Sequence, residues 1–285
     1  MIKISGFKSN WFRYHKKLIK KYLWDTYSVE SSFEYLARKK CDYRFSDTTY
    51  QIEKVFIFEN TDNGLIFLLD PHDRSHHGLH MLDILNNEPN VVHVLKSQFN
   101  PEEYSIQDNF TPSGYFPREF EKYINIIDEV IEHRNISTKR DGLFFTGKLW
   151  KRRRRIVNHM QSIISSSERL PFIDFVKRMS EYRIVLSLPG KGNLCHREFE
   201  AMGIGVPVLM PRLKNILPDL LIPNVHYIAV DQPEQIRDTY MMVRDNQSLL
   251  NDISRNAMEW FDRNCRYPNC YKPFDVAIKK IIDIR

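Results

Sequence analysis

The chain has 285 residues, of which 42% are hydrophobic, 13% aromatic and 27% charged, with only 10 Gly and 14 Pro; this excludes collagen-like and broadly disordered chains and predicts roughly two folded domains. Its net charge of +6 is uneven: residues 1–138 carry 17 Lys+Arg against 20 Asp+Glu, and residues 139–285 carry 25 against 16, so the second half should attract anions. The most apolar run, residues 65–69, is far shorter than the ~20 residues of a membrane span, and the basic N-terminus lacks the apolar stretch of a secretory leader, which predicts a cytoplasmic protein with reduced thiols at Cys41, Cys195, Cys265 and Cys270.

In chain order, residues 2–4 predict a short strand and 11–24 an amphipathic helix, its apolar Leu18, Ile19, Tyr22 and Leu23 opposed by lysines between Lys16 and Lys21. Packing of that helix on its own domain is the preferred reading, peripheral membrane contact the other. A helix is expected at 31–39 and a strand at 42–45. Compact apolar strands follow at 54–58 and 64–69, separated by the turn formers Asn60, Asp62, Asn63 and Gly64. A strand at 90–95 and a helix at 120–134 complete the first half, and the polar segment 135–142 reads as the linker. Beyond it come a strand at 143–146, helices at 151–164 and 172–179, a strand at 182–188, a helix at 195–202, strands at 206–209 and 226–230, helices at 233–245 and 248–265, and a helical tail over 258–284. Strands alternating with helices at this spacing predict an α/β chain of two tandem Rossmann-like, doubly wound domains, at 1–138 and 139–260, with a closing helix at 261–285.

The stretch 182–209 carries the most chemistry. A buried strand runs into Pro189-Gly190-Lys191-Gly192 and then a short helix, which aims backbone N–H groups and a positive helix end at an anion. Arg197 and Glu200, three residues apart on that helix, share a face: a cation for diphosphate beside a carboxylate for ribose hydroxyls, or an ordinary surface pair. The run Lys151-Arg152-Arg153-Arg154-Arg155 is either a phosphate-binding helix start or a solvated basic face. There is no Asp-x-Asp motif, so neither a metal nor a cofactor is expected.

The segment Arg197-Glu-Phe-Glu200-Ala-Met-Gly-Ile-Gly-Val-Pro-Val208 resembles the donor-binding signature of GT-B glycosyltransferases. The Arg three residues before the acid is similar to the exostosin-like branch and, more loosely, to the CAP10-like branch. Leu143-Phe-Phe-Thr-Gly-Lys148 resembles the strand opening the C-terminal domain of these enzymes, where Gly and basic residues face the donor diphosphate. The resemblance covers residues 143–265. It implies a GT-B fold with an interdomain cleft, an acceptor-binding domain at 1–138, a nucleotide-sugar domain at 139–260, and a last helix at 261–285 packing back on the first domain. It further implies Gly147, Lys148, one or two of Arg152–Arg155 (Arg152 and Arg155 being the candidates), Gly190, Lys191, Gly192, Arg197 and Glu200 around a nucleotide sugar, UDP-linked by expectation, with a glycan hydroxyl as acceptor. Many retaining GT-B enzymes carry a second Glu eight positions before the ribose-binding one; that position here is Gly192, which favours inversion.

Inversion needs a general base. The loop after the strand at 64–69 offers Asp73 first and His77 second, with Asp70, which precedes Pro71 and suits a turn, third. Asp70, His72 and Glu59 are candidates for acceptor hydroxyls, and Glu59 equally for capping its loop. His72, Asp73, His76 and His77 are also metal-ligand types at close spacing. Two other functions stay open: a nucleic-acid-binding protein using Lys148–Arg155, and a glycan or nucleotide-sugar binder without turnover.

Overall fold

The computed structural model describes residues 1–7, 10–36, 40–45, 48–53, 55–71, 76–97, 99–100, 102, 108–114, 120–133, 139–149, 151–166, 170–190 and 192–282. Two compact units emerge: Met1–Phe120 with Lys214–Asp219 and Tyr267–Arg285, and Glu121–Leu213 with Leu220–Arg266. The division thus falls ahead of the helix at 120–134, not at the polar linker after it.

The first unit runs β1 (Ile2–Phe7), α1 (Asn10–Tyr27), β2 (Ser31–Leu36), β3 (Lys40–Phe45), β4 (Thr48–Glu53), β5 (Phe56–Asn60), β6 (Ile66–Asp70), α2 (His76–Asn87), β7 (Val91–Lys96) and β8 (Phe110–Pro112). The second holds α3 (Phe120–His133), β9 (Arg140–Phe145), α4 (Lys151–His159), β10 (Ile164–Ser166), α5 (Phe172–Ser180), β11 (Tyr182–Leu186), α6 (His196–Gly203), β12 (Val208–Pro211), β13 (Ile228–Val230), α7 (Ile236–Val243) and α8 (Gln247–Cys265), and α9 (Pro273–Ile282) follows in the segment that clusters with the first unit.

The chain is mixed α/β, as expected, but the first sheet is not purely parallel. Its order is β2-β1-β5-β6-β7-β8, and β5 runs antiparallel to both β1 and β6. The reversal is local in origin. Asn60 Oδ1 accepts the Asp62 N–H at 3.1 Å and Asn63 Oδ1 the Leu65 N–H at 3.0 Å, while Gly64 sits at φ +74°, so the turn folds β5 directly back onto β6. Only β6, β7 and β8 run parallel side by side beyond it. One face is closed by Met81, Ile84 and Leu85 against Ile57, Leu68 and Val94.

Three predicted helical stretches are corrected. Residues 31–39 contribute β2, whose Ser31–Leu36 pairs in parallel with Ile2–Phe7; Phe33 and Tyr35 suit a pleated edge better than a helix. The helix at 151–164 stops at His159, and Ile164–Ser166 pairs with Leu143–Phe145 as β10. The tail is broken between Cys265 and Pro273, where Pro268 and Pro273 withhold the N–H groups that a continuous helix requires.

The second sheet is parallel throughout, in the order β10-β9-β11-β12-β13. β9 and β11 are neighbours although β10 lies between them in sequence, so strand order reverses there. In open α/β sheets ligands collect outside the carboxyl ends of the two strands flanking such a switch point. Leu143, Phe145, Ile184, Leu186 and Leu209 form the core beneath, with Ile236, Tyr240, Leu250 and Ile253 packed on it.

Candidate functional site

The carboxyl ends of β9 and β11 lead into two glycine-bearing loops, and Arg153 ties them together. Its side chain turns inward from α4 and is only 7% exposed. Nε donates to the Pro189 carbonyl at 2.8 Å and Nη2 to the Leu188 carbonyl at 2.5 Å, both on the loop after β11. Nη1 reaches the Lys148 carbonyl, on the loop after β9, at 3.4 Å. The loop after β11 closes on itself through the Gly190 N–H donating to the Gly192 carbonyl at 3.0 Å.

Arg197 enters the same space from the first turn of α6. Its guanidinium lies over the Phe145 ring, 4.9 Å from the centroid, and Nη2 donates to the Thr146 carbonyl. Nε and Nη1 are buried and have no hydrogen-bond partner among the described residues. Burial pulls this guanidinium down from its usual range, a cost that an anion placed against those two donors would relieve. Room for such a group exists because Gly147 and Gly190 lack side chains: a Cβ at Gly147 would fall 2.8 Å from Arg197 Nη2, and one at Gly190 3.1 Å from Arg153 Nη2.

Glu198 and Ser187 fix α6 against β11. Ser187 Oγ donates to Glu198 Oε1 at 2.6 Å, and the Cys195 N–H donates to Oε2 at 3.0 Å, satisfying one of the helix's otherwise orphaned amides. Burial holds the Glu198 carboxyl above its ordinary range and pushes the Cys195 thiol up to about 11. Glu200, one turn after Arg197, is 8% exposed.

Gly147, Gly190, Gly192 and Arg197 therefore converge around the switch point, with exposed Lys148 on the loop after β9 and buried Glu200 one turn further along α6. Arg155 does not: it is solvated and faces Glu234 at 3.6 Å. Arg153, the arginine of the basic run that does turn in, was not singled out in the sequence, because five consecutive basic residues look alike until the helix phase is known. Glu198 was likewise passed over, although its place three residues after the helix-capping Cys195 is a capping spacing. Lys191 lies outside the described residues, as does the Arg152 side chain.

The acceptor candidates do not gather. Because β5 is antiparallel to β6, with Glu59 opposite Ile66, half-buried Glu59 lies at the opposite end of the sheet from Asp70. Asp70 itself is fully buried, its Oδ2 3.4 Å from the equally buried Lys96 Nζ, so it serves the interior in this structure. His72 and Asp73 lie outside the described residues; His77 is on the first turn of α2, its side chain likewise outside them. Among the described residues no group of three His, Cys, Asp or Glu side chains could hold a metal ion, and no helix is long and apolar enough to cross a membrane.

Residues 133–270 match the family model described as glycosyl transferase-like, a span just short of half the chain that takes in β9 through α8. Solved structures similar to the chain include TarM, at 10% identity, 83% of this chain, 64% of that one and a TM-score of 0.42. A C-terminal domain of a glycosyl transferase group 1 family protein from Francisella tularensis shows 14% identity, 53% and 83% coverage and a TM-score of 0.35. Sucrose-phosphate synthase from Thermosynechococcus elongatus shows 11% identity, 73% and 57% coverage and a TM-score of 0.42. The chain spans less than two thirds of TarM and of the synthase. No curated protein sequence matches it.

Proposed function

We propose that this chain, whose second unit carries a glycosyl transferase-like segment, is a GT-B-type enzyme that moves a sugar from a nucleotide-sugar donor, UDP-linked by preference, to a hydroxyl of a glycan acceptor. The observation that carries the reading is the inner edge of Arg197, without a hydrogen-bond partner among the described residues, beside two glycine loops at the sheet's switch point. As the bond from the anomeric carbon to the departing diphosphate breaks, negative charge accumulates on that diphosphate. Preorganised donors aimed at it lower the barrier: Arg197 Nε and Nη1 and the positive end of α6, with the glycine loops leaving room for the group. Lys148 adds charge at the rim, and Glu200 accepts from the ribose hydroxyls. Arg153 has each nitrogen engaged with a carbonyl, so it positions the loops. The charge is met without a metal. Transfer proceeds with inversion, Asp73 taking the acceptor proton and His77 standing second.

The basic run is a poor fit to a nucleic-acid footprint, since Arg153 is buried and Arg155 faces a carboxylate. The test is calorimetry without metal, using UDP, GDP, CMP and ADP and the matching sugar nucleotides. One nucleotide should bind selectively, with affinity reduced at least tenfold in Glu200→Ala. Asp73→Asn should keep that affinity and abolish turnover. Binding to none, with salt-sensitive retention on oligonucleotides, would replace the assignment; retention of anomeric configuration in the product would remove the inverting step alone.

A further inference from the structure

We propose that the solvent face of α1 is a docking surface for an anionic lipid bilayer, independently of the reaction assigned above. The helix is amphipathic and its apolar side is already consumed: Leu18, Ile19, Tyr22 and Leu23 are 7%, 2%, 4% and 0% exposed. Trp24 is not part of that core, being 61% exposed. At 3.6 residues per turn, Lys17, Lys20, Lys21 and Trp24 fall within about 100° of arc on the opposite side. Lys17 and Lys20 make no ion pair with a described residue. Lys21 is paired with Asp25, the helix's single carboxylate. Beside this stripe, Lys16 sits over the Phe33 and Tyr35 rings at 5.0 and 5.2 Å, and Tyr35 is itself 41% exposed on the edge strand β2.

Lys17 and Lys20, without a carboxylate partner among the described residues, flank an indole left in water, and the two features define the occupant by charge and polarity together. Anionic headgroups answer the lysines, and the headgroup layer is where an indole finds an apolar environment with a partner for its N–H. A nucleic acid would meet the first requirement and leave Trp24 idle.

The experiment is co-sedimentation of the full chain with vesicles of phosphatidylcholine alone and of phosphatidylcholine with phosphatidylglycerol. Pelleting is expected with the anionic vesicles only, weakening with salt. Each of Lys17→Gln and Lys20→Gln should lower the partition coefficient ~5-fold, and Trp24→Ala should lower it further, with native circular dichroism because Lys17 and Trp24 are exposed and Lys20 is only half-buried, outside the apolar core. Failure to pellet, or pelleting unchanged in the double lysine variant, overturns the proposal. Retention on an oligonucleotide that Trp24→Ala leaves intact, without vesicle binding, assigns the stripe to nucleic acid and overturns it equally.

Discussion

Arg153 and Arg155, two residues apart on one short helix, have opposite fates because a helix rotates about 200° over that spacing. The first satisfies carbonyls of two loops; the second meets a single carboxylate across water. Truncating Arg153 to Met would leave those carbonyls without their donors in a desolvated corner, so Arg153→Met is expected to cost about 3 kcal/mol in urea unfolding, whereas Arg155→Met should stay within about 0.5 kcal/mol. His93 gives a sharper residue-scale prediction. It is fully buried on β7, with Nε2 3.2 Å from Thr111 Oγ1 and Nδ1 without a partner among the described residues. Burial, with a smaller contribution from the Lys280 charge, brings its pKa down to about 4. Between that value and the ordinary 6.5 the unfolded chain binds the extra proton. His93 therefore makes stability rise with pH across that window and fall on acidification, by about 3 kcal/mol in all. His93→Gln should flatten this dependence in urea titrations between pH 4.5 and 7; an unchanged slope would mean that other groups set it.

At the scale of elements, α6 shows how tightly the site is built into its unit. Gly203 ends the helix against α3 and α8, where a Cβ would lie 3.0 Å from Ile127 Cδ1 and 3.0 Å from the Phe261 ring. Gly203→Ala should therefore destabilise the second unit by about 1–3 kcal/mol by overpacking, despite the ~1 kcal/mol advantage of Ala over Gly within a helix; thermal unfolding of the two proteins decides the sign. Elements with a strong apolar period, such as α1, α3, β6 and β11, were readable because periodicity reflects a face that must be buried. β2 and β10 were not. Each is a short edge strand paired on the open side of its neighbour: Ile2 N–H donates to the Glu30 carbonyl at 2.9 Å, and Leu143 N–H to the Ile163 carbonyl at 2.7 Å. Partners of that kind are tertiary and leave little trace in local sequence. The glycine loops after β9 and β11 were readable for the opposite reason, since glycines between strand and helix carry their geometry in the sequence. That Glu59 and Asp70 fall at opposite ends of the first sheet was not legible, because a strand's direction, here that of β5, is not written in its composition.

At the scale of the whole molecule, chain order and spatial grouping part company. Residues 267–282 lie furthest from β5 and β6 in sequence yet complete their unit. Phe274 meets Phe58 and Phe67 edge-on, at 5.4 and 5.7 Å between centroids. Asn60 and Asn63 both donate to the Ile281 carbonyl, at 2.6 and 2.9 Å, and Asp275 accepts from the hydroxyls of Tyr22 and Tyr27. The asparagines that shape the β5–β6 turn thus also hold the last helix. Phe274 is 1% exposed, and Phe274→Ala should cost about 3–5 kcal/mol. Domains of this size carry separate cores and open as separate units, so that loss should be confined. Hydrogen exchange followed by mass spectrometry should show peptides of β5, β6 and β7 losing protection in the variant while those of β11 and β12 keep theirs. Equal loss in both sets would mean that the two units unfold as one cooperative body with a shared stability.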